Sequence, residues 1–481
     1  MNSNAKREKI LIYVKWICVC MFFLILWTRV YPVMVGDPDD WTYISFSRQA
    51  IPAWKAWNPA KVFPETFMGL CGNFAALIVY PIINDYQHAM TYTFATVIAI
   101  VITIYLYMFD KMIGCLFRLS RITRFFVVFF FVCSHFWVFK VSNENNPYMF
   151  MSPGLNLEMN YRVPMFATAT LLFYEIVCYK RYEKLKISGS ILLWLYLCLF
   201  SNMATNVVIV IPTFIHFVYK FICWKRNHQG ILKFIQTVIF HIIVFAMEIV
   251  VLFFEYFGGR ASSLEFCLEQ AVSEMVGDLK TVYLSVNFKF ALIVLILVGV
   301  ALILSKKRKV IEHKKMLYLF LLSGIFSSVY VILLFIRVGK HKITRPDNLS
   351  VMALFFVIVG SVALACIFEQ VRKMEIMIPI MIYIMLFSVC NVGRMYGNYF
   401  ESGGNLYHGT HAGYDTNVEC YEANKDIIDQ FIAADSEGVE EFDLYAPNCM
   451  ARYEWAGARV ETTLYRQGII KKHMVVHIYE K

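Results

Sequence analysis

Residues 24–41 read Leu24-Ile25-Leu26-Trp27-Thr28-Arg29-Val30-Tyr31-Pro32-Val33-Met34-Val35-Gly36-Asp37-Pro38-Asp39-Asp40-Trp41. An apolar run that begins near Ile10 and is long enough to cross a bilayer ends here, and three carboxylates follow within four positions. The run exceeds a signal-peptide core and lacks a small-residue cleavage pattern before Gly36, so we read it as a retained signal anchor. The remainder of the chain has the same character. Its 481 residues are 59% hydrophobic and 17% charged, with 42 Phe and 29 Tyr. A soluble domain holds roughly 45–50% apolar and about 25% charged residues, which excludes a soluble single-core protein. A net charge of +10 would point to nucleic acid on a soluble domain, but here the basic residues border apolar runs.

Apolar runs fall at 10–34, 87–109, 125–139, 163–179, 188–201, 207–219, 234–254, 290–305, 316–336, 349–368 and 376–394, predicting an all-α polytopic membrane protein of about eleven transmembrane helices. If all cross and the N-terminus is cytoplasmic, the inner segments carry 23 Lys/Arg in 63 residues. The outer connections carry 12 in 127, so the positive-inside rule favours a multi-pass cell-membrane protein with an outer C-terminus. Ser201-Asn202-Met203-Ala204-Thr205-Asn206 interrupts the fifth and sixth runs; two spans joined by a polar break preserve the charge bias, whereas one long span does not.

The first outer loop, 35–86, is the longest polar feature near the N-terminus. Asp39 reads as the N-cap of a surface helix starting at Asp40, with Trp41, Ile44 and Arg48 at helical spacing. Pro64-Glu65 starts a second such helix, which leads to Tyr80-Pro81. The acidic pair has two readings. It is a helix cap, or one carboxylate faces a cavity beyond the hydrocarbon and acts as a base or a ligand.

On Asp39 and Asp40, Trp41-Thr42-Tyr43 and Pro64-Glu65, residues 1–254 resemble the GT-C fold of integral-membrane glycosyltransferases, closest to the bacterial surface-polysaccharide type. The resemblance implies transfer of a sugar from a polyprenyl-phosphate donor to a glycan or lipid acceptor, with Asp39 or Asp40 catalytic and Asp39 preferred as the first of the pair. It leaves metal open: no cofactor is assigned, and a divalent ion at the acidic pair is one option.

Such a reaction needs a carboxylate to take the acceptor's proton and cations to hold the departing phosphate. The outer connection 337–348 holds four Lys/Arg in 12 residues, as basic as an inner loop. It reads either as snorkelling side chains at lipid headgroups or as a phosphate site with Arg345 first, because a guanidinium grips two oxygens, and Lys342 beside it. Arg162 enters the fourth run and serves donor or acceptor, or anchors its helix. Glu65 and Glu158 are candidates for acceptor contact or for support of the site.

Glu175, His216, Glu248 and His135 lie inside apolar runs and should face the bundle interior, as hydrogen-bonded pairs or as a proton path. Arg29 is placed to pair with Asp37 or Asp39. Residues 1–394 thus form the membrane domain and 395–481 a small outer α/β tail: a helix from Val418 to Ala434, then strands at Phe442–Tyr445 and Met474–Ile478. Cys420 and Cys449 in that tail are one disulfide option. The tail shows no phosphate loop and no catalytic Ser or Cys pattern, and nothing indicates a nucleic-acid module. A transporter or flippase, or a polysaccharide polymerase, remains the alternative function.

Overall fold

The structure is a computed structural model that describes residues 3–30, 32–45, 61–139, 149–150, 154–182, 184–228, 230–257, 286–307, 311–338, 346–371, 380–381, 384 and 417–481. Polar caps set several helix starts. Asp85, Ser120, Ser188 and Asn202 each accept a backbone N–H two or three residues on, satisfying donors that a helix's first turn leaves open.

Helix α1 (Ser3–Ile25) continues as a π-helical turn through Val30. A short α2 (Pro38–Tyr43) precedes α3 (Val62–Ile83), which ends at Asn84 in the left-handed conformation. Then come α4 (Tyr86–Leu116), α5 (Arg121–Trp137) and α6 (Val163–Tyr182), the last preceded by helical turns at Leu155–Leu157 and Glu158–Arg162. They are followed by α7 (Gly189–Leu199), α8 (Met203–Asn227), α9 (Ile231–Phe257), α10 (Phe288–Lys307), α11 (Ile311–Val338) and α12 (Pro346–Val371).

Eight of these are long and apolar enough to cross a membrane, which makes the chain an all-α multi-pass membrane protein. Seven match the first, second and sixth to tenth expected runs. The third and fourth runs fall in α5 and α6, of 17 and 20 residues. The fifth is α7, whose 11 residues cover about 16 Å, short of the roughly 30 Å hydrocarbon core. The eleventh lies almost wholly outside the described residues. The eighth candidate is α3, which the sequence reading places in the first outer loop as a surface helix starting at Pro64-Glu65; the structure makes it a 22-residue apolar helix, within the length range of the other candidate spans.

Helix α12 lies at the centre, with 89% of its apolar window buried between α5, α10 and α11. An aromatic cluster packs α4, α5 and α6 together: Phe109 stacks on Phe131, and Tyr105 touches Phe131, Phe166 and Phe173. At the end of the bundle reached by α1's N-terminal half, charges pair. Lys15 and Arg124 bind Asp110 at 3.3 and 2.9 Å, Lys180 binds Glu312, and His313 binds Glu369 at 2.6 Å.

The tail is built from α13 (Asn417–Glu437), β1 (Glu441–Ala446), α14 (Trp455–Arg466) and β2 (Val475–Glu480). Both strands were legible, but they pair in parallel, from Glu441 opposite Val475 to Ala446 opposite Glu480. A parallel pair needs a crossover, and α14 supplies it.

Candidate functional site

The acidic turn is built by its own backbone. Asp37, in extended conformation, is the N-cap of α2 and accepts the Asp39 N–H at 2.8 Å; Pro38 takes the first helical position, where a missing N–H costs nothing. Asp40, three residues on, completes a capping box. Its Oδ2 accepts the N–H of Gly36 at 2.9 Å and of Asp37 at 3.0 Å, and its Oδ1 accepts the Asn156 N–H at 2.5 Å. The expectation that Asp39 caps a helix starting at Asp40 is therefore corrected, and the Asp-Pro step was the local signal for the right start.

The two carboxylates have different surroundings. Asp40 is 0% exposed; burial pushes its carboxyl up to about 6, with the N–H groups of Gly36, Asn156 and Asp37 pulling it back and the charge of Asp39 adding a further rise. Asp39 is half-buried, and its carboxylate accepts no hydrogen bond among the described residues. Asp40 is thus enclosed and held by three backbone N–H donors, while among the described residues the Asp39 carboxylate is not. Gly154 closes the turn from the other side: a Cβ there would stand 3.3 Å from Asp40 Oδ2. Gly72 does likewise for α3, since a Cβ would fall 2.0 Å from the Ile44 carbonyl oxygen.

Behind the turn lies a buried polar layer. Asn160 donates to the Asn156 carbonyl at 3.0 Å, Asn202 donates to the Asn160 carbonyl at 2.7 Å, and Asn206 donates to Glu248 at 2.8 Å. The polar break after α7 is thus a junction. Its Phe200 carbonyl accepts from Val62 N–H at 2.7 Å, and its Ser201 hydroxyl from Phe63 N–H at 3.2 Å. Lys61 pairs with Glu255 at 2.7 Å. Arg162 is 1% exposed, Glu158 and Glu65 are also buried, and all three are engaged in polar or electrostatic contacts. The turns that carry them pack on each other, and α12 packs on Glu158–Arg162. Arg345 and Lys342 lie outside the described residues; Pro346, the next residue after Arg345, starts α12.

The tail sits on the same turn. Thr463 Oγ1 lies 2.6 Å from the Trp41 carbonyl oxygen and 2.7 Å from Ser45 Oγ, and Gln467 donates to the Ile44 carbonyl at 3.1 Å. Tyr86 donates to Gln467 at 2.5 Å, Tyr421 donates to Asp85 at 2.5 Å, and Asn424 donates to the Val35 carbonyl at 2.8 Å. Cys420 and Cys449 are buried free thiols, and burial pushes the Cys420 thiol far up. Arg29 stands over the Tyr92 ring at 6.0 Å.

Of the membrane-embedded polar residues, His135 bonds Tyr105 at 2.9 Å, and Glu175 and His216 converge with His241, which sequence reading did not single out. In comparisons with family models, curated proteins and solved structures, the chain matches none.

Proposed function

We propose that the chain is a GT-C-type membrane glycosyltransferase that moves a sugar from a polyprenyl-phosphate donor to a glycan or lipid acceptor on the outer face of the cell membrane. The observation that carries this reading is the division of labour in the acidic pair. Asp40 is enclosed and hydrogen-bonded, whereas Asp39 keeps a half-exposed carboxylate with no hydrogen bond among the described residues.

In this reading Asp39 takes the proton of the acceptor hydroxyl as the oxygen attacks the anomeric carbon. The bond from that carbon to the phosphate oxygen breaks, and polyprenyl phosphate departs with the electron pair. Arg345, with Lys342, holds the departing charge, while Arg162 with Glu158 and Glu65 shapes the buried wall of the site. Helix α3 links the parts of the site: its start is hydrogen-bonded to the Phe200–Ser201 junction and its end leads to Asp85, which the tail holds. The basic bias of 1–9, 110–124, 180–187, 220–233, 306–315 and 369–375 supports a cytoplasmic N-terminus and an outer tail.

Transfer from a polyprenyl-phosphate sugar by purified wild-type and Asp39→Asn protein tests this directly; full activity in the variant removes Asp39 from the chemistry. The break between α7 and α8 favours a second reading, a carrier for a lipid-linked solute, because transporters place broken helices around their sites. Flux of the labelled donor across proteoliposomes without sugar transfer would select that reading.

A further inference from the structure

Away from the acidic turn, α6, α8 and α9 each contribute one metal-ligating side chain to a single point. His216 Nδ1 and His241 Nε2 stand 3.2 Å apart, and each lies 3.9 Å from Glu175 Oε1. Glu175 is 17 residues beyond Glu158 along nearly continuous helix, about 25 Å of rise, so this cluster is separate from the acidic turn.

The surrounding hydrogen bonds leave the three ligand atoms turned inward. Tyr179 donates its hydroxyl hydrogen to the Thr237 carbonyl at 3.0 Å, so toward His241 Nδ1, 3.1 Å away, it acts as acceptor. His241 therefore carries its hydrogen on Nδ1 and presents a lone pair on Nε2, the arrangement that a hydrogen-bonded partner imposes on metal-bound histidines. Thr213 occupies Glu175 Oε2 at 3.1 Å, and Oε1 is buried with no hydrogen-bond partner. Glu175 and His241 side chains are 3% and 0% exposed, and His216 is the open side at 24%.

A hydrogen bond between the two histidines accounts for the 3.2 Å contact but leaves Glu175 Oε1 unsatisfied, since 3.9 Å is beyond hydrogen-bond reach. An ion at the centre satisfies all three atoms. Bonds of about 2.0–2.1 Å to a tetrahedral ion set ligand atoms roughly 3.3 Å apart, so the observed triangle needs only a slight contraction on its carboxylate side. Two imidazoles and one carboxylate suit zinc or a neighbouring first-row ion better than calcium or magnesium, which prefer all-oxygen shells.

We propose that Glu175, His216 and His241 bind one divalent transition-metal ion, zinc fitting best, which ties α6, α8 and α9 together and keeps a fourth position open on the His216 side. His216 binds through Nδ1 with its hydrogen on Nε2. Lys220, whose ammonium stands 5.6 Å from the Tyr179 ring centre, opposes the bound charge.

The test uses full-length protein in detergent, stripped with chelator, re-equilibrated with zinc and counted by elemental mass spectrometry after gel filtration. Wild type should retain one zinc per chain, and Glu175→Gln, His216→Gln and His241→Gln none. Tyr179→Phe should weaken zinc binding roughly 10–100-fold by freeing the His241 ring, and Lys220→Gln should tighten it. Equal zinc in wild type and the three ligand variants, or none in wild type, overturns the site. Should the variants fail to fold, cobalt added to wild type decides the matter: the intense visible bands of a tetrahedral site support it, and the weak spectrum of hydrated cobalt refutes it.

Discussion

The backbone N–H of Asn156 donates to Asp40 Oδ1 at 2.5 Å, joining the turn after α1 to the entry of α6 across 116 residues of chain. This bond commits Asp40 to structure, and in the proposed function it leaves Asp39 as the base.

Asp40→Asn and Asp39→Asn should therefore behave differently. An amide at position 40 turns one N–H2 group toward backbone donors that need an acceptor, a loss of about 1–3 kcal/mol, read as a lower melting temperature in detergent. Asp39→Asn should melt like wild type and lose sugar transfer. The reverse pattern would reassign the base to Asp40.

Gly154→Ala should destabilise by about 1 kcal/mol, because its Cβ would crowd Asp40 Oδ2 at 3.3 Å. Gly189→Ala, at the start of α7 with nothing within 4 Å, is the control and should be neutral or stabilising by a few tenths of a kcal/mol. Equal melting shifts would remove Gly154 from the support of Asp40.

Thr463→Val should loosen the tail, since it strands the buried Trp41 carbonyl and Ser45 hydroxyl at a cost of about 1–3 kcal/mol. Hydrogen exchange should rise across 455–466 and 38–45 together while α12 stays protected. A change confined to the tail would mean the two parts are not coupled.

Docking should also weaken in acid. Burial raises the Asp85 carboxyl, but the His88 N–H, the Tyr421 hydroxyl and the His88 ring outweigh it, and the net shift is downward. A carboxylate with a lowered folded value stabilises above its unfolded range near 3.8 and loses that contribution as pH falls through the folded value. Melting temperature should thus drop on acidification below about pH 4, with a shallower drop in Asp85→Asn. Identical acid limbs would discard the link.

If Arg345 grips the departing phosphate at two points, Arg345→Lys should cut sugar transfer sharply while Lys342→Gln has a mild effect, because a lone ammonium near water is screened. Equal, mild losses in both would return the loop to lipid anchoring.

What the sequence determined by itself was the apolar periodicity of the chain. Apolar runs placed seven of the eight helices long and apolar enough to cross a membrane, because burying about 20 residues in hydrocarbon leaves a signal in every position of the run; the eighth, α3, reads in the sequence as a surface helix. The Ser201–Asn206 interruption announced the α7–α8 break, and the tail's alternation announced both strands. Only the tertiary structure decided which carboxylate of the acidic pair is spent. The donor that spends Asp40 is a backbone N–H at Asn156, and a backbone donor carries no side-chain signature. It likewise decided that α3 begins at the α7–α8 junction, that α14 crosses between parallel strands, and that His241 meets Glu175 and His216. Each of these is set by the packing of helices distant in sequence, and no local pattern of residues encodes which faces will meet.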